Sequence, residues 1–405
     1  MGEVQEGSPT VRDGPCDQHF ATAILEDERG AQQDLCGFSS LWHTISRKAR
    51  YYWILLLLSS SSMMVAFPAS SILSRLYYVD GGTHRWLLSW VAAAGWPLTA
   101  LILLPMYFSR GISPTTFTWR LFMSYAVLGA LSAADNLMFA WSYAYLPAST
   151  SSLLSSSSLT FTAVFAYFIV GKKWTASILN AIAVITAGAI LLGLDANSDR
   201  PKNTTNGHYA IGFLLDILGS ALHGLIFALS ELLFIKLLGR KSFHVVLEVQ
   251  AYTSLFACII TTIGTIINGD FFAMRIEAQR FHHGPAVYYM VLIWAAICFQ
   301  LGVLGSVAVL YLTSTLFAGV LNAARVPVTA LAAVVCFHDS MTGYKIMALL
   351  LTLWGFGSYI YGGVQAHASP NNNKSESSEF APEQDGLFRH QALSVPLVIQ
   401  KPTPA

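Results

Sequence analysis

Between about residue 50 and residue 366 the chain is a succession of apolar runs parted by short polar connectors. A bilayer core needs about 20 predominantly apolar residues per helix. By that measure ten stretches qualify, at roughly 51–73, 86–108, 121–145, 149–170, 175–194, 210–236, 245–268, 286–310, 315–337 and 343–364. The pattern predicts an all-α polytopic membrane protein with ten transmembrane helices. It is organised as a disordered cytosolic tail (1–48), helices one to five (49–195), an extracytosolic loop (196–209), helices six to ten (210–366) and a second disordered cytosolic tail (367–405) that includes NNNKSESSEFAPEQDG.

Composition supports this reading. Of 405 residues 54% are hydrophobic and 11% charged, against about 25% charged in a soluble domain. The formal charge of +1 and the absence of a Lys/Arg block argue against a nucleic-acid partner. Cys16 and Cys36 lie in the first tail and Cys258, Cys298 and Cys336 in apolar stretches, with no CxxC or metal-ligand spacing, so neither a disulfide framework nor a metal is expected. The first 45 or so residues lack the apolar core of a signal peptide, which leaves the first helix as the uncleaved insertion signal.

An even number of spans puts both tails on one side. Ten Lys/Arg near the helix ends, from Arg47 to Lys241, fall on the tail side and seven, from Arg75 to Lys345, on the other. The bias predicts cytosolic tails. Asn203-Thr204-Thr205, a glycosylation acceptor pattern, then falls outside, whereas Asn373-Lys374-Ser375 falls in the cytosolic tail and goes unused.

Shifting the chain on itself by 167 residues aligns LTFTAVFAYFIVGKKWTA (159–176) with VPVTALAAVVCFHDSMTG (326–343). The shift pairs Thr175 with Thr342, Ala181 with Ala348 and Gly188 with Gly355, and superposes the fourth and fifth stretches on the ninth and tenth. Halves of five helices insert with opposite orientation, so the expectation is two inverted repeats, a transporter architecture with its substrate near the midplane.

Polar residues inside the apolar runs are the candidates for chemistry. Asp135 in the third stretch and Arg325 in the ninth lie near mid-bilayer, where a charge costs at least about 2.5–3.5 kcal/mol and so needs a cavity or a partner. The two are natural counter-ions, as a structural lock or as a substrate-contacting or proton-carrying pair. Glu231, about one turn from the end of the sixth stretch, is the first candidate for the coupled proton and Asp135 the second. Glu248, which with Gln250 opens the seventh stretch, reads equally as a solvated helix end or as a proton-carrier candidate less suited than Glu231, and His223 as a hydrogen-bonded interface residue or a titrating group.

In STSSLLSSSSLTFT, Ser151, Ser155, Ser158 and Thr162 recur at helical spacing as one stripe. Close helix packing is the usual role of such residues; Ser155 and Ser158 are also candidates to face a heterocycle. Trp294 and Gln300, six residues apart, fall within about 120° of each other on a helix, and could stack on and hydrogen-bond a planar base. Trp294 fits an interfacial belt equally well. Binding would combine stacking on Trp294 or Phe161 with hydrogen bonds from Asn136, Ser158 and Gln300. An enzyme is not indicated, since HExxH, a nucleophile elbow and a phosphate-cradling glycine loop with lysine are all missing. A non-transporting receptor that binds a heterocycle is the alternative of another class.

The strings SRLYYVDGG (74–82), ADNLMFAWSYAYLPASTSSLL (134–154), LEVQ (247–250), LIWAAICFQLG (292–302), PVTALAAVVCFHD (327–339) and LLTLWGFGSYIYG (350–362) resemble the plant purine permeases of the drug/metabolite transporter superfamily, in order, from about residue 50 to 366. The resemblance implies a ten-helix carrier that imports adenine, cytokinins or related heterocycles with protons, driven by the proton gradient without a cofactor, and it favours the plasma membrane, with the endoplasmic reticulum or vacuolar membrane as alternatives. The chain departs from the family pattern at Ala92-Ala93, Ser158 and Ala330, where Gln-Thr, Gln and Glu are usual, and it carries Asn322 and Arg325 in a stretch that is usually apolar. These departures place Asn322 and Arg325 among the substrate-binding candidates and keep alkaloids or vitamin B6-like compounds as alternative cargo.

Overall fold

The computed structural model describes residues 50–110, 115–116, 118–172, 174–195, 204–238, 243–312 and 315–368. The two expected tails, most of the loop after residue 195 and both glycosylation triplets' asparagines lie outside these residues. Contacts divide the chain into a unit of residues 1–55 and one of residues 56–405. The first is described only from residue 50, where α1 begins; the packing and the site discussed below belong to the second.

Helices form wherever the sequence runs apolar. In order they are α1 (Arg50–Val79), α2 (Arg85–Ala94), α3 (Trp96–Arg110), α4 (Trp119–Tyr145), α5 (Ala148–Ser155), α6 (Ser158–Phe165), α7 (Ala176–Leu194), α8 (Asn206–Leu233), α9 (Phe243–Asn268), α10 (Asp270–Arg280), α11 (Pro285–Leu312), α12 (Thr315–Phe337) and α13 (Gly343–Ala368), with π-helical turns at Ala166–Val170 and Phe234–Leu238. No strand occurs among the described residues. Among the described residues eight segments are long and apolar enough to cross a membrane. They correspond to the first eight of the ten stretches; the last two are helical as α12 and α13, but of these only the shorter apolar piece Ala324–Phe337 stands out.

The burial pattern suits lipid rather than water. Leu57, Val65, Phe108, Phe168, Ile267 and Val335 are each more than 65% exposed, while Asp216, Ser220, Thr261 and Lys345 are fully buried. Large exposed apolar surface combined with a polar interior is what a hydrocarbon solvent selects. Lys345 was counted as a loop cation in the charge comparison, yet its Nζ donates to Ser149 Oγ at 2.9 Å, and Ser149 in turn donates to Asp339 Oδ2 at 2.9 Å.

Small residues set the helix spacing. A Cβ on Gly224 of α8 would lie 2.6 Å from the backbone nitrogen of Thr162 in α6, and one on Gly305 of α11 would lie 2.8 Å from the carbonyl of Ser59 in α1. Without hydrophobic driving force between helices in lipid, such close backbone approach supplies the packing energy.

Helices α7 and α13 run antiparallel in a reciprocal arrangement. A Cβ on Gly188 would meet the carbonyl of Ala348 at 3.3 Å, and one on Gly355 the carbonyl of Ala181 at 3.4 Å. Near the helix ends Thr175 Oγ1 lies against Gly362, and the Thr342 hydroxyl donates to Asp195. Thr175 and Thr342 each cap their own helix by accepting from the backbone nitrogens of Ile178 and Lys345, both at 3.3 Å. Every one of these residues maps onto its counterpart by the shift of 167. The contacts between α7 and α13 are thus reciprocal, residue i meeting j′ where i′ meets j, as a two-fold-related pair would have them.

The serine-rich fourth stretch departs from expectation. It is not one continuous stripe, because the helix breaks between α5 and α6 at Ser156–Ser157. Ser152, Ser155 and Ser156 each turn a hydroxyl onto the carbonyl three residues earlier, at 2.8, 2.8 and 2.5 Å, and the backbone N–H groups of Ser156 and Ser157 also bond three residues back. Hydroxyls competing for helical carbonyls in this way favour a tighter local turn.

A candidate transport site in the polar interior

Asp135 is 5% exposed in the middle of α4, held there by the apolar residues that make α4 a spanning helix. Its partner is not Arg325. His223 of α8 places Nδ1 3.0 Å from Asp135 Oδ2, because α4 and α8 pack along their length and bring positions 135 and 223 level. Asp135 Oδ1 is buried and has no hydrogen-bond partner among the described residues. The imidazole of His223, its side chain 35% exposed, sits edge-on between the rings of Phe139 and Phe227, with centroids 6.5 and 5.0 Å away. A carboxylate and a histidine sharing one hydrogen bond can hold or release a proton between them.

Two turns along the same helices lies a second rung, about 10 Å away at 1.5 Å per residue. Asp216 of α8 is completely buried and accepts from Ser142 of α4 and Ser151 of α5, both 2.5 Å from Oδ2, while Oδ1 has no partner among the described residues. Asp216 was not singled out in the sequence, although GFLLDILGSALHG shows the same signal that marked Asp135, a carboxylate deep in an apolar run. Its seven-residue separation from His223 would have placed the two on one face.

Arg325 of α12 lies elsewhere in the same interior. Its guanidinium carbon sits 4.6 Å from the centre of the Phe67 ring of α1, a cation–π contact, and among the described residues no carboxylate pairs with it. Tyr143, the residue after Ser142, bonds Ser71 of α1 at 3.3 Å and lies within electrostatic range of both Arg325 and Asp216. Arg75 of α1 donates to the Tyr143 carbonyl at 2.6 Å. Helices α1, α4, α5, α8 and α12 thus supply one polar interior. Asn136 is half-buried, and among the described residues its side-chain amide has no hydrogen-bond partner. Asn322 is half-buried on α12.

Other sequence candidates stand apart. Glu231 lies at the end of α8 in an ion pair with Lys172, 2.5 Å apart, with side chains 26% and 56% exposed, so it is neither desolvated nor unpaired. Trp294 is 52% exposed, whereas Gln300 is buried and donates to Thr99 of α3; the 120° between them points one outward and the other inward. Gln300 Oε1 has no partner. Ser155 is committed to the Ser152 carbonyl, Ser158 is half-buried with its carbonyl accepting from Thr162 at 2.7 Å, and Phe161 packs its backbone against Gly224. Glu248 is not solvated: it is 3% exposed and accepts from Tyr107 and Thr115 at 2.9 and 2.7 Å. An apolar groove of about 400 Å³, lined by Trp90, Leu98, Leu292 and Ile297 among others, contains none of these polar groups; it lacks the convergent donors and acceptors a heterocycle site requires.

Residues 54–369 match the family described as purine nucleobase transmembrane transport. Among curated proteins of Arabidopsis thaliana, the chain is 57% identical over 326 residues to probable purine permease 5, an alignment covering 80% of this chain and 90% of the relative. It is 38% identical to probable purine permease 11, covering 72% and 78%, and 34% identical to purine permease 3, covering 78% and 93%. A match along nearly all of the helical part of the chain, joined to a polytopic helical fold with a polar interior, assigns it: this protein is a multi-pass membrane protein belonging to the purine permease family.

Proposed function

We propose that the chain is a secondary transporter that imports purine nucleobases and related planar heterocycles, cytokinins among them, together with protons, at the plasma membrane. The observation that carries the reading is the buried Asp135–His223 pair joining α4 to α8. In this proposal the pair holds the coupling proton, and Asp135 takes the first place previously given to Glu231, because Glu231 is already neutralised by Lys172.

Asn136, with an uncommitted amide beside Asp135, pairs with the edge of the base. Arg325 and Phe67, stacked face to cation, offer a planar surface on which a purine ring can lie. The break at Ser156–Ser157 gives the α5–α6 segment a hinge beside this interior, of the kind found where carriers unwind helices around substrate. The reciprocal contacts of α7 and α13 support an inverted-repeat organisation in which the halves rock about the site.

The test is uptake of labelled adenine and trans-zeatin by yeast lacking its own purine importer, at acidic and neutral external pH, with alkaloids and pyridoxine as competitors. Saturable uptake that is faster at acidic pH and abolished by a protonophore is expected. Surface-localised protein that transports an alkaloid or pyridoxine but neither adenine nor trans-zeatin would replace the cargo assignment.

A further inference from the structure

Away from the polar interior, two turns about 200 residues apart in sequence meet at one end of the helix bundle. The turn after α1 carries Asp80, and the turn between α10 and α11 carries His282 and His283. His283 Nδ1 lies 2.8 Å from Asp80 Oδ2. The two imidazoles are 4.8 Å apart between centroids, and one ligand atom from each of the three residues falls within a 4.8 Å span. Asp80 is buried, and both histidines are exposed.

The backbone holds these groups in place. The His282 N–H donates to the Asp80 carbonyl at 3.0 Å, directly joining the turns. Gly81 and Gly284, at φ +105° and +87°, supply the left-handed corners that let each chain reverse beside its ligand. Below the turns Tyr77, Phe281 and Tyr288 are packed in a hydrophobic core, and Glu277 accepts from Tyr77, Tyr288 and Thr83 at 2.8, 2.7 and 2.9 Å. Three ligand groups carried by braced backbones need only side-chain rotation to converge.

We propose that Asp80, His282 and His283 form a transition-metal site of the Zn²⁺ class. Two neutral imidazoles and one carboxylate make a three-ligand set that suits Zn²⁺ and leaves a fourth position for water. Ligand atoms about 2.0–2.2 Å from such an ion stand roughly 3.3–3.5 Å apart, so the Asp80–His283 contact opens slightly while His282 swings inward. Bound metal ties the end of α1 to the start of α11 and restrains their relative movement. Sequence spacing carried no sign of this, because the aspartate and the histidine pair come together only in the fold.

The experiment uses the full-length, untagged protein purified in detergent and titrated with ZnCl₂, with MgCl₂ as the control. Thermal stabilisation by Zn²⁺ but not Mg²⁺ is expected, with zinc affinity at least about tenfold weaker in the His282→Gln/His283→Gln variant. Glutamine at 283 keeps a donor for Asp80 and so preserves the turn. Unchanged zinc affinity in that variant would overturn the proposal. Co²⁺ added to the wild-type chain gives a readout that needs no variant: intense visible absorption of a tetrahedral site supports the assignment, and its absence contradicts it.

Discussion

Two carboxylate pairs differ in burial, and the proposal puts the coupled proton on the buried one. Asp135 is 5% exposed with one oxygen unpartnered, whereas Glu231 and Lys172 form a partly exposed pair of a kind worth about 0–1 kcal/mol. Asp135→Asn is therefore expected to lower proton-driven uptake at least about tenfold while substrate exchange under equal pH persists, since exchange requires no net proton movement. Glu231→Gln should retain the wild-type pH profile. A profile flattened by Glu231→Gln and untouched by Asp135→Asn would return the proton to Glu231. That a carboxylate lay at mid-membrane was legible in the sequence, and so was the titratable histidine. Their pairing was not, because charge alone favours arginine as the counter-ion, and only the level at which α4 and α8 pack decides for His223. Arg325 finds its neutral partner, Phe67, for the same reason: neighbours across helices are set by packing register, which one sequence does not state.

At the scale of elements, apolar length located the helices well, and the capping threonines at 175 and 342 mark the starts of α7 and α13 as a repeat would require. Propensity did not reveal the break in the fourth stretch. Serines at helical spacing look like a packing stripe until their hydroxyls are seen bonding carbonyls within their own turn. The segment after the break is held by Gly224, where a Cβ would lie 2.6 Å from backbone nitrogen and 2.8 Å from backbone carbon in α6. A backbone cannot yield as a side-chain tip does. Gly224→Ala should cost about 1–3 kcal/mol through overpacking, measured as a lowered Tm in detergent. Gly357→Ala in α13, where nothing lies within 4 Å, should leave Tm unchanged or slightly raised. Equal effects of the two substitutions would mean that the α6–α8 contact does not set the packing.

For the whole molecule, lipid-facing apolar residues surround an interior in which carboxylates meet hydroxyls, imidazole and aromatic rings. Such groups are expensive to place in a membrane and persist where a substrate or ion path requires them. The class of molecule was legible from composition and span length. The identity of the interior groups was legible only in part, since Asp216 and Asn136 acquire meaning from what does or does not sit opposite them. The most direct test of the central claim is adenine flux into liposomes containing only the purified chain, with an imposed pH gradient, acidic outside. Accumulation above the external concentration is expected, collapsing when a protonophore dissipates the gradient. Adenine that binds to the protein without net flux, or flux that equilibrates identically with and without the gradient, would contradict a proton-coupled carrier.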